Sequence, residues 1–487
     1  MKKLNSLREY IKELENYNEI TKVEAEVDWN LEIGAIIRRV YDLQAPSPLF
    51  SKVKDKIGRV LGAPVSISKR ENPYIKLALS LGLPIDSTLD TIIHKLADAM
   101  NNKPIPPSEI EKGDFHENIL FGDDIDLYKL PTPIIHEGDG GPYINTLGCI
   151  VVQSPDGKWT NWSIARIMIN GKKTMTGIIA PTKHLGMIHK MWQDLGKDTP
   201  FALALGVEPS IPYVCSMPLD DYVNEVDWLG GYWGKGIEVT RCKTNHLQVP
   251  ASAEIVIEGR ISATTYVDEG PMGEYTGYSS KHTIKMPQYE VDALLYKNDP
   301  ILPVVAAGMP IEEDHSIWGT ATSAVNLYQF KKNNLPVKDC FHTWGSCMML
   351  MAVTLDKDYF KQFTSKKQLF DKIAKVCFDS RAGVVVPKIA IMDEDIDIFN
   401  FEEVARAVFS RTHPNSGYYL YDDKFITNLV PYLQCGEINK RMSQKLILDC
   451  LFDPDMDKRP IISDFKTLWP KDVQNKVLAR WEEYGFR

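Results

Sequence analysis

Asp268-Glu269-Gly270-Pro271-Met272-Gly273-Glu274-Tyr275 contains two glutamates five residues apart, separated by two glycines, a proline and a methionine. A Gly-Pro pair followed by a second glycine disfavours a helix, and proline cannot donate to a sheet ladder. We therefore expect a shaped loop that directs Glu269 and Glu274 toward one small volume. Two carboxylates beside a cation acquire different pKa values and can move a proton. Taken alone, the stretch also fits a surface turn with two solvated acids.

Length and composition exclude several classes of protein. The 487 residues are too many for one small core and predict two or three domains. The hydrophobic content of 44% and the charged content of 25% are typical of a soluble globular protein. The net charge of −9, without a long basic block, argues against nucleic acid or an anionic membrane as partner. No apolar run approaches the length of a membrane span.

The cysteines and the first residues predict a cytoplasmic protein. The eight cysteines are scattered without a Cys-x-x-Cys pair, which is typical of reduced thiols and disfavours a zinc ribbon or a disulfide scaffold. The basic start Met1-Lys2-Lys3 is not followed by an apolar segment, so a secretory signal is not expected.

The predicted fold class is a multidomain α+β or α/β protein in three parts. Residues 1–118 are expected to form an N-terminal α/β unit, 119–305 a β-rich central domain and 306–487 a C-terminal α/β domain. Apolar periodicity predicts helices over 6–17, 31–41 and 87–100. Ser6 and Glu9 have the spacing of a capping box at the start of the first helix.

The central part changes to strand patterns. Strands are predicted over these segments: Gly148–Gln153, Trp162–Ile169, Thr174–Ile179 and Ala253–Glu258. Asn170-Gly171 predicts a tight hairpin. The pattern predicts an antiparallel or barrel-like domain without a Gly-x-Gly-x-x-Gly or Walker sequence. A nucleotide-like cofactor would therefore need another way of holding its phosphate.

The C-terminal part predicts alternating helices and strands. Ser365 and Gln368 have capping-box spacing before a helix, and a second helix is expected at about 401–411. Strands are predicted at Val384-Val385-Val386 and over 389–392. The tail after Trp469-Pro470 is predicted to be an amphipathic helix suited to docking on a second subunit.

Three separate pieces contain residues that bind metals or anions. They are Asn161-Trp162-Ser163-Ile164-Ala165-Arg166, Lys183-His184 and Ser216-Met217-Pro218 with Asn224-Glu225. Asparagine, histidine and glutamate offer oxygen and nitrogen donors for a manganese- or magnesium-class ion that also binds a phosphate. Each residue alone also has an ordinary structural role, and spacing does not join the three pieces.

Several motifs in the same order resemble the UbiD family of reversible decarboxylases, and within it the ferulate/cinnamate (phenylacrylate) decarboxylases. The resemblance extends from about Asp126 to the tail. It is densest in five stretches: NWSIAR (161–166), SMP…NEVDW (216–228), PASAEIVIEG (250–259), EGPMGEYTGY (269–278) and DEDIDIFNF (393–401). It implies prenylated FMN as cofactor, a split-β-barrel-like flavin-binding central domain and a C-terminal oligomerisation domain.

The resemblance also implies which residues form the site. Arg166, Glu269 and Glu274 correspond to the catalytic Arg-Glu-Glu set. The implied ligands of a divalent Mn²⁺ (or Mg²⁺) are Asn161, His184 and Glu225. The implied neighbours of K⁺ are Trp162, Cys215, Ser216, Met217 and Glu225. The implied cofactor-binding residues are 161–166 (Asn161, Trp162, Ser163, Ile164, Ala165, Arg166), Lys183, His184, Glu225 and, at a distal phosphate position, Arg381 with Lys388 as the alternative.

These residue types suit decarboxylation. A carboxylate on an sp² carbon loses CO₂ only if an electron sink accepts the charge, and no side chain is one, so a cofactor must supply it. Arg166 can hold a carboxylate through two N–H bonds, and Glu269 would keep Arg166 in place. Glu274 would deliver the proton, with its pKa raised by an apolar pocket and by the charge of Glu269.

Five positions depart from the pattern of the close relatives and leave the substrate open. Lys183 replaces a glutamine, Ala180 a larger aliphatic residue, Tyr275 a methionine, Trp318 an aliphatic residue and Thr427 an aromatic residue. Lys183 could recognise a second anionic or carbonyl group on the substrate, or it could bind the cofactor, and both roles stay open. Other (hetero)aromatic or polycyclic acids therefore remain candidate substrates beside a cinnamate.

The expected activity is reversible, non-oxidative decarboxylation of an α,β-unsaturated or (hetero)aromatic acid. The expected partners are the carboxylic acid and CO₂, a flavin prenyltransferase that supplies the cofactor, and a second copy of the chain in a homodimer or larger homo-oligomer. Two other classes are alternatives, a non-catalytic flavin carrier and an FMN split-barrel oxidoreductase. A carrier has no need for two acids beside an arginine.

Overall fold

Four strands form an N-terminal sheet in the computed structural model, which describes residues 2–279, 282–453, 456 and 458–486. In spatial order they are Ile20–Val27, Ser47–Val53, Arg59–Gly62 and Ile301–Val304. The last strand follows the central sheet in sequence and pairs in parallel with Arg59–Gly62. This pairing ties the N-terminal and central parts together.

The predicted N-terminal helices are confirmed. They are Leu7–Asn16, Glu32–Leu43 and Leu89–Ala99, with a further short helix at Ile75–Ser80. The Ser6 hydroxyl accepts a hydrogen bond from the Glu9 amide at 3.2 Å, which satisfies one of the free donors at the start of the first helix. Leu7, Tyr10, Ile11 and Leu14 are buried on its inner face.

Nine antiparallel strands form the central sheet within the described residues. In spatial order eight of them are Tyr143–Asn145, Ile167–Gly171, Thr174–Gly177, Ile284–Tyr296, Ile255–Glu269, Thr199–Leu205, Cys149–Gln153 and Thr160–Ser163. The ninth, Asn118–Phe121, pairs with the C-terminal part of Ile284–Tyr296. The predicted hairpin is confirmed by Ile167–Gly171 and Thr174–Gly177, although its turn lies at residues 172–173, directly after Asn170-Gly171.

The central sheet is buried on both faces. Successive side chains of a strand point to opposite faces. Accordingly, Ala202 and Ala204 join one buried apolar cluster and Leu203 and Leu205 join the other. The sequence of the strand Thr199–Leu205 is therefore mostly a continuous apolar run and does not alternate between apolar and polar residues.

The predicted single strand Trp162–Ile169 is wrong. The structure has two strands, Thr160–Ser163 and Ile167–Gly171, which lie at different positions in the sheet. Residues 164–166 connect them outside the ladder. Pairing partners, which are distant in sequence, decide where a ladder stops. As a result Arg166 leaves the sheet at the point where the chain changes direction.

A long hairpin places the acidic loop. Ile255–Glu269 and Ile284–Tyr296 pair with register shifts at Glu258/Gly259 and Ile261/Tyr266. Such irregularities bend a strand and increase its twist. At Gly259 an added Cβ would lie 1.9 Å from the Glu290 carbonyl oxygen, so only glycine permits this close pairing. The bent strand ends at Glu269, where the loop with Glu274 begins.

Five strands form the C-terminal sheet of the described chain. In spatial order they are Val337–His342, Met351–Leu355, Lys388–Met392, Met442–Cys450 and Tyr418–Phe425. The helices of this part are Thr320–Lys332, Lys366–Phe378, Phe401–Arg411, Cys435–Lys440, Phe465–Leu468 and Lys471–Ala479. The two helices predicted near 365 and 401 are confirmed, with N-caps at Ser365 and Asn400.

The predicted strand Val384-Val385-Val386 is wrong. Residues Ala382–Val385 form a single 3₁₀ turn, and the strand begins only at Lys388. Three successive valines favour a strand by propensity. Here Val385 and Val386 are buried in a turn directly after Arg381, so tertiary packing overrides the local preference.

The remaining elements connect the sheets. A small sheet contains Gln248–Pro250, Glu238–Arg241 and Ser108–Glu109. The central helices are His184–Asp194, Ile211–Ser216 and Glu225–Trp233. Asp314–Gly319 is a π-helical turn before Thr320–Lys332, and the 3₁₀ turns are Asp114–Glu117, Gly122–Asp124, Leu127–Lys129, Trp344–Ser346, Tyr359–Lys361 and Ala382–Val385.

The C-terminal helix is shorter than predicted and faces solvent. It spans Lys471–Ala479, and Val473, Leu478 and Trp481 are exposed. In the described part of the chain, no helix is both long and apolar enough to cross a bilayer. The multidomain α+β architecture predicted from the sequence is confirmed.

Candidate active site

Arg166 forms a two-point ion pair with Glu269. Its Nε donates to Oε1 at 2.9 Å and its Nη2 donates to Oε2 at 2.8 Å. Glu269 is fully buried, and Arg166 is mostly buried. Two parallel N–H bonds fix the guanidinium plane. The break in the sheet at 164–166 and the end of the strand at Glu269 therefore meet at one point.

Glu274 contacts the same guanidinium. Arg166 Nη1 donates to Glu274 Oε1. The loop that carries Glu274 closes by a bond from the Glu274 amide to the Tyr278 carbonyl at 3.0 Å and one from the Gly277 amide to the Glu274 carbonyl at 3.0 Å. The predicted loop therefore brings both acids to Arg166, and the solvated surface turn does not occur.

Tyr143 supports Glu269 from the opposite side. Its hydroxyl lies 3.0 Å from Glu269 Oε1 and 3.3 Å from the Pro271 carbonyl oxygen. Tyr143 is fully buried on the edge strand Tyr143–Asn145. The sequence analysis did not single it out, because a tyrosine in a short strand carries no distinguishing pattern.

The surroundings raise the pKa of Glu274. Burial is the largest cause, the charge of Glu269 acts in the same direction, and Arg166 opposes both. Burial alone would lower the pKa of Arg166, but its bonds to Glu269 and the charge of Glu274 reverse the effect and raise it. The site thus holds one acid that favours its proton beside a cation that remains charged.

Asn161, His184 and Glu225 converge around one carboxylate oxygen. Asn161 Nδ2 lies 2.8 Å and His184 Nδ1 lies 3.2 Å from Glu225 Oε1. Asn161 comes from the strand Thr160–Ser163, whereas His184 and Glu225 are the first residues of their helices. The structure therefore brings together the three residues that spacing alone could not join.

Two buried polar atoms beside this cluster lack a partner. Asn161 Oδ1 and Ser163 Oγ form no hydrogen bond in the described structure, although both atoms are buried. Buried polar atoms without partners are uncommon, and a bound ion is one of the groups that satisfy them. An amide oxygen, an imidazole and a carboxylate are a suitable donor set for a Mn²⁺- or Mg²⁺-class ion. The residues present fit the implied metal.

The residues implied for K⁺ line one cavity, and one of them contacts the Glu225 carboxylate. The Trp162 amide donates to Glu225 Oε2 at 2.9 Å, and the Ile164 amide donates to the Cys215 carbonyl at 3.3 Å. Cys215 and Ser216 end the helix Ile211–Ser216, and Met217 follows directly. These residues all face the cavity described below. The ion itself remains a prediction.

Arg381 reaches the site and Lys388 does not line it. Arg381 Nη1 contacts Asp221 Oδ1 at 2.6 Å, and its Nη2 donates to the Thr182 carbonyl at 3.3 Å. Asp221 also lies 3.2 Å from His184 Nε2, which joins Arg381 to the Asn161/His184/Glu225 cluster. Lys388 instead lies 5.1 Å from the Tyr432 ring centroid. Of the two residues predicted for the phosphate, Arg381 is the one that lines the cavity described below.

A cavity of about 870 Å³ connects these groups. Its walls include Arg166 and Glu274 as well as the Asn161/His184/Glu225 cluster. The opposite wall comes from the C-terminal part, at residues 378–385, 423–429 and 441–442. The volume lies within the range of roughly 300–1,000 Å³ that encloses drug-sized ligands. The cavity therefore offers one ligand access to both the acid pair and the metal cluster.

The residues that depart from the relatives cluster within this cavity. Tyr275 and Trp318 pack edge to face with ring centroids 5.1 Å apart, and Lys183 Nζ lies 5.6 Å from the Trp318 centroid. Trp318 belongs to the π-helical turn Asp314–Gly319, a rare conformation that is frequent at functional sites. Ala180 and Thr427 also line the cavity.

Lys183 keeps contact with solvent through the cavity while protein surrounds it on the other sides. This environment lowers the pKa of its ammonium group to about 8, first by removal from bulk water and then by repulsion from Arg381. Sequence reasoning singled out Lys183 but, besides Tyr143, missed three residues of the site: Asp221, Arg441 and Asp314. Their positions in the sequence do not mark them as site residues, because only folding brings them to the cavity.

Comparisons with known proteins agree with this geometry. Three family models match the chain: the 3-octaprenyl-4-hydroxybenzoate carboxy-lyase N-terminal domain at 11–96, the Rift-related domain at 108–310 and the C-terminal domain at 315–450. Pyrrole-2-carboxylic acid decarboxylase of Pseudomonas aeruginosa is 37% identical over 98% of both chains. The chain belongs to the UbiD family.

Two further comparisons extend the UbiD assignment. Ferulic acid decarboxylase 1 of Saccharomyces cerevisiae is 33% identical over the full length of both chains. An evolved dimeric form of the UbiD-class enzyme HmfF from Pelotomaculum thermopropionicum, solved with prFMN, is 26% identical with a TM-score of 0.79. That match covers 96% of this chain and 100% of the other.

The family resemblance read from the sequence is confirmed, and so is the carboxy-lyase class. Membership in the UbiD family excludes the FMN split-barrel oxidoreductase as the assignment. The domain limits at 118/119 and 305/306 and the roles of the individual site residues stay predictions. The convergence of Arg166, Glu269 and Glu274 is an observation of the structure.

Proposed function

We propose that this UbiD-family carboxy-lyase acts on an α,β-unsaturated or (hetero)aromatic carboxylic acid with prenylated FMN as cofactor. The observation that carries the proposal is the shared cavity, with Arg166 and Glu274 at one part of its wall and the Asn161/His184/Glu225 cluster at another. The relatives named above are decarboxylases of pyrrole-2-carboxylic and ferulic acid, which belong to these two substrate classes.

The proposed cofactor is held at the metal cluster. Asn161, His184 and Glu225 would bind Mn²⁺ or Mg²⁺, and the orphaned Asn161 Oδ1 supplies an open ligand atom. The residues around Cys215 and Ser216 would bind K⁺, and Arg381 would reach the phosphate. When bound, prenylated FMN supplies the electron sink that a carboxylate on an sp² carbon lacks.

Arg166 has a free edge for the substrate. Glu269 occupies its Nε and Nη2 donors, and Glu274 contacts Nη1. A guanidinium has five N–H donors, so donors of Nη1 and Nη2 remain for a substrate carboxylate. Because Glu269 is buried and also bonded to Tyr143, it holds Arg166 in one orientation. Arg166 would thereby orient the acid before CO₂ is lost.

Glu274 is the proposed proton donor. Burial and the charge of Glu269 favour its protonated form, and its oxygen already lies beside the group that would hold the substrate. After loss of CO₂ it would transfer its proton to the carbon that carried the carboxylate. In the reverse direction the same oxygen would remove that proton. One acid therefore serves both directions of the reaction.

The proposal also covers the oligomeric state, the source of the cofactor and the cellular location. A homodimer or larger homo-oligomer is proposed from the exposed apolar side chains of the C-terminal helix, and the related HmfF structure is of an evolved dimeric form. A flavin prenyltransferase would supply the cofactor. A cytoplasmic location is proposed because all eight cysteines are free thiols.

The experiment that tests the function is expression with and without a flavin prenyltransferase. We expect a changed flavin absorbance spectrum only in the coexpressed protein, together with CO₂ release from members of a panel of cinnamic, pyrrole, furan and benzoic acids. Coexpressed protein with bound prenylated FMN and a divalent ion that releases CO₂ from no acid, and that incorporates no labelled CO₂ into the carboxyl group of any acid, would refute the proposal.

A further inference from the structure

Lys183 is a cation of the cavity wall that no carboxylate neutralises. Within the described residues its Nζ forms neither an ion pair nor a hydrogen bond, and its recorded contact is with the ring of Trp318. Three other cations of the wall pair with carboxylates, whereas Arg441 has, among the described residues, only a 3.5 Å hydrogen bond to the Thr182 hydroxyl. Arg166 is bonded to two glutamates, Arg381 to Asp221 at 2.6 Å and Lys424 to Asp379 at 2.7 Å.

The direction of the Lys183 side chain separates it from the metal cluster. His184, the next residue, faces Glu225 and Asp221, whereas Lys183 Nζ lies over Trp318. Trp318 packs on Tyr275, and Tyr275 follows Glu274 directly in the chain. Lys183 therefore contacts the aromatic part of the wall that continues to the proposed proton donor, although Arg381 is close enough to repel its charge.

This aromatic part of the wall has a second unpartnered polar group. The Tyr275 hydroxyl is buried and forms no hydrogen bond within the described structure. A buried hydroxyl without a partner costs free energy. The wall thus combines one cation with two aromatic side chains, which suits a flat ring with an anionic substituent.

We propose that the substrate is an aromatic acid with a second carboxylate, which Lys183 binds while Arg166 holds the reacting carboxylate. This inference rests on the proposed decarboxylase function and specifies its substrate class. The site would prefer a substrate with a second carboxylate over one with a neutral substituent, because the neutral group would leave the Lys183 ammonium without a counter-charge inside the cavity. A hydrogen bond to a charged group would make kcat/KM for the charged substrate about 10–100-fold higher than for its neutral analogue.

The test compares matched pairs of substrates. Cinnamic acids with a carboxylate at ring position 2, 3 or 4 are measured against the corresponding carboxamides, which have nearly the same shape without the charge. In the parent protein we expect kcat/KM for one of the three dicarboxylic acids to exceed that of its amide by about 10–100-fold. In Lys183→Gln the ratio falls to near 1, and in Lys183→Arg, which keeps the charge, a preference for the acid returns.

The ratio cancels any effect that acts equally on both substrates, such as partial loss of cofactor. Lys424→Gln is the matched control, because Lys424 lies in the same cavity wall but is already paired with Asp379. It should retain the ratio of the parent protein. Flavin and metal content per chain are measured for every variant, so a role of Lys183 in cofactor binding is detected separately.

Three results would overturn the inference. They are a parent ratio near 1 at all three ring positions, an unchanged ratio in Lys183→Gln, and a loss of flavin in that variant without a change of ratio. The inference and the proposed function can fail separately. If no acid is turned over, equilibrium binding of the same acid and amide pairs, followed by quenching of the bound flavin's fluorescence, still decides the role of Lys183.

Discussion

Replacement of Glu274 by glutamine is the most direct test of the proposed proton transfer. The amide oxygen of the introduced side chain can still accept from Arg166 Nη1, so the geometry is retained while the transferable proton is lost. Arg166 keeps both bonds to Glu269, at 2.8 and 2.9 Å. The change therefore isolates the chemical role of one carboxyl group.

The expected fall in kcat is the contribution of one general acid, because the variant changes only the carboxyl group of Glu274. Positioned general acids contribute about 10²–10⁴-fold to rates, which corresponds to roughly 3–5.5 kcal/mol of barrier at about 1.36 kcal/mol per decade. Stability should change by only about 1 kcal/mol, because glutamine has nearly the shape of the protonated acid and keeps the hydrogen bond from Arg166. A large fall in kcat with little change in folding is expected.

The assay follows both CO₂ release and exchange of the product hydrogen in D₂O. The parent protein should exchange the hydrogen at the carbon that carried the carboxylate, and Glu274→Gln should not. Asp268→Asn is the matched control, since this carboxylate at the end of the strand before the loop is exposed and pairs with Lys285 at 3.0 Å. Full flavin and metal occupancy in all three proteins completes the comparison.

One result would contradict the role assigned to Glu274. If Glu274→Gln retains more than about a tenth of the parent kcat and of the exchange rate with full cofactor, another group delivers the proton. A loss of equal size in Asp268→Asn would point to the loop as a whole rather than to the carboxyl group of Glu274.

Three further predictions concern the surroundings of Glu274 and the metal cluster. Burial raises the pKa of Glu274, and its protonated form is the proposed active one, so kcat should be maintained at low pH and fall as pH rises through that raised pKa. Glu269→Gln removes a charge that raises the pKa of Glu274, so in a pH–rate profile the fall of kcat should move to lower pH. The other ionisable groups near Glu274 are Asp314, Glu312 and Arg166. Glu225→Gln should remove the anionic oxygen shared by Asn161 and His184, and elemental analysis should then find the divalent ion lost together with the flavin, whereas retention of both would exclude Glu225 as a ligand. Tyr143→Phe removes a hydrogen bond to the buried carboxylate of Glu269 without changing the ring, so the free energy of unfolding should fall by about 1.5–3 kcal/mol in a denaturant titration; an unchanged value would show that the bond is weak.

Local elements were predictable where a short-range rule controls them. The helix Leu7–Asn16 begins where the Ser6 hydroxyl caps it, and Ser365 caps a second helix in the same way. Such caps act within four residues, so the sequence contains all of their partners. The ends of strands were less predictable, because their partners lie far away in the chain. The strand break at 164–166 and the 3₁₀ turn at Ala382–Val385 both depended on such distant contacts.

The chemical inventory was already present in the order of residues: an arginine, two acids in a loop that cannot be helical, an Asn/His/Glu donor set and the family to which these motifs point. Folding in three dimensions was needed to show that Arg166 leaves the sheet to meet Glu269 and Glu274, and that Asp221 joins Arg381 to His184. Folding also left Lys183 without a counter-charge against Trp318. This division arises because residue types and local caps act over a few positions, whereas convergence, burial and charge balance depend on segments that only the packed sheets bring together.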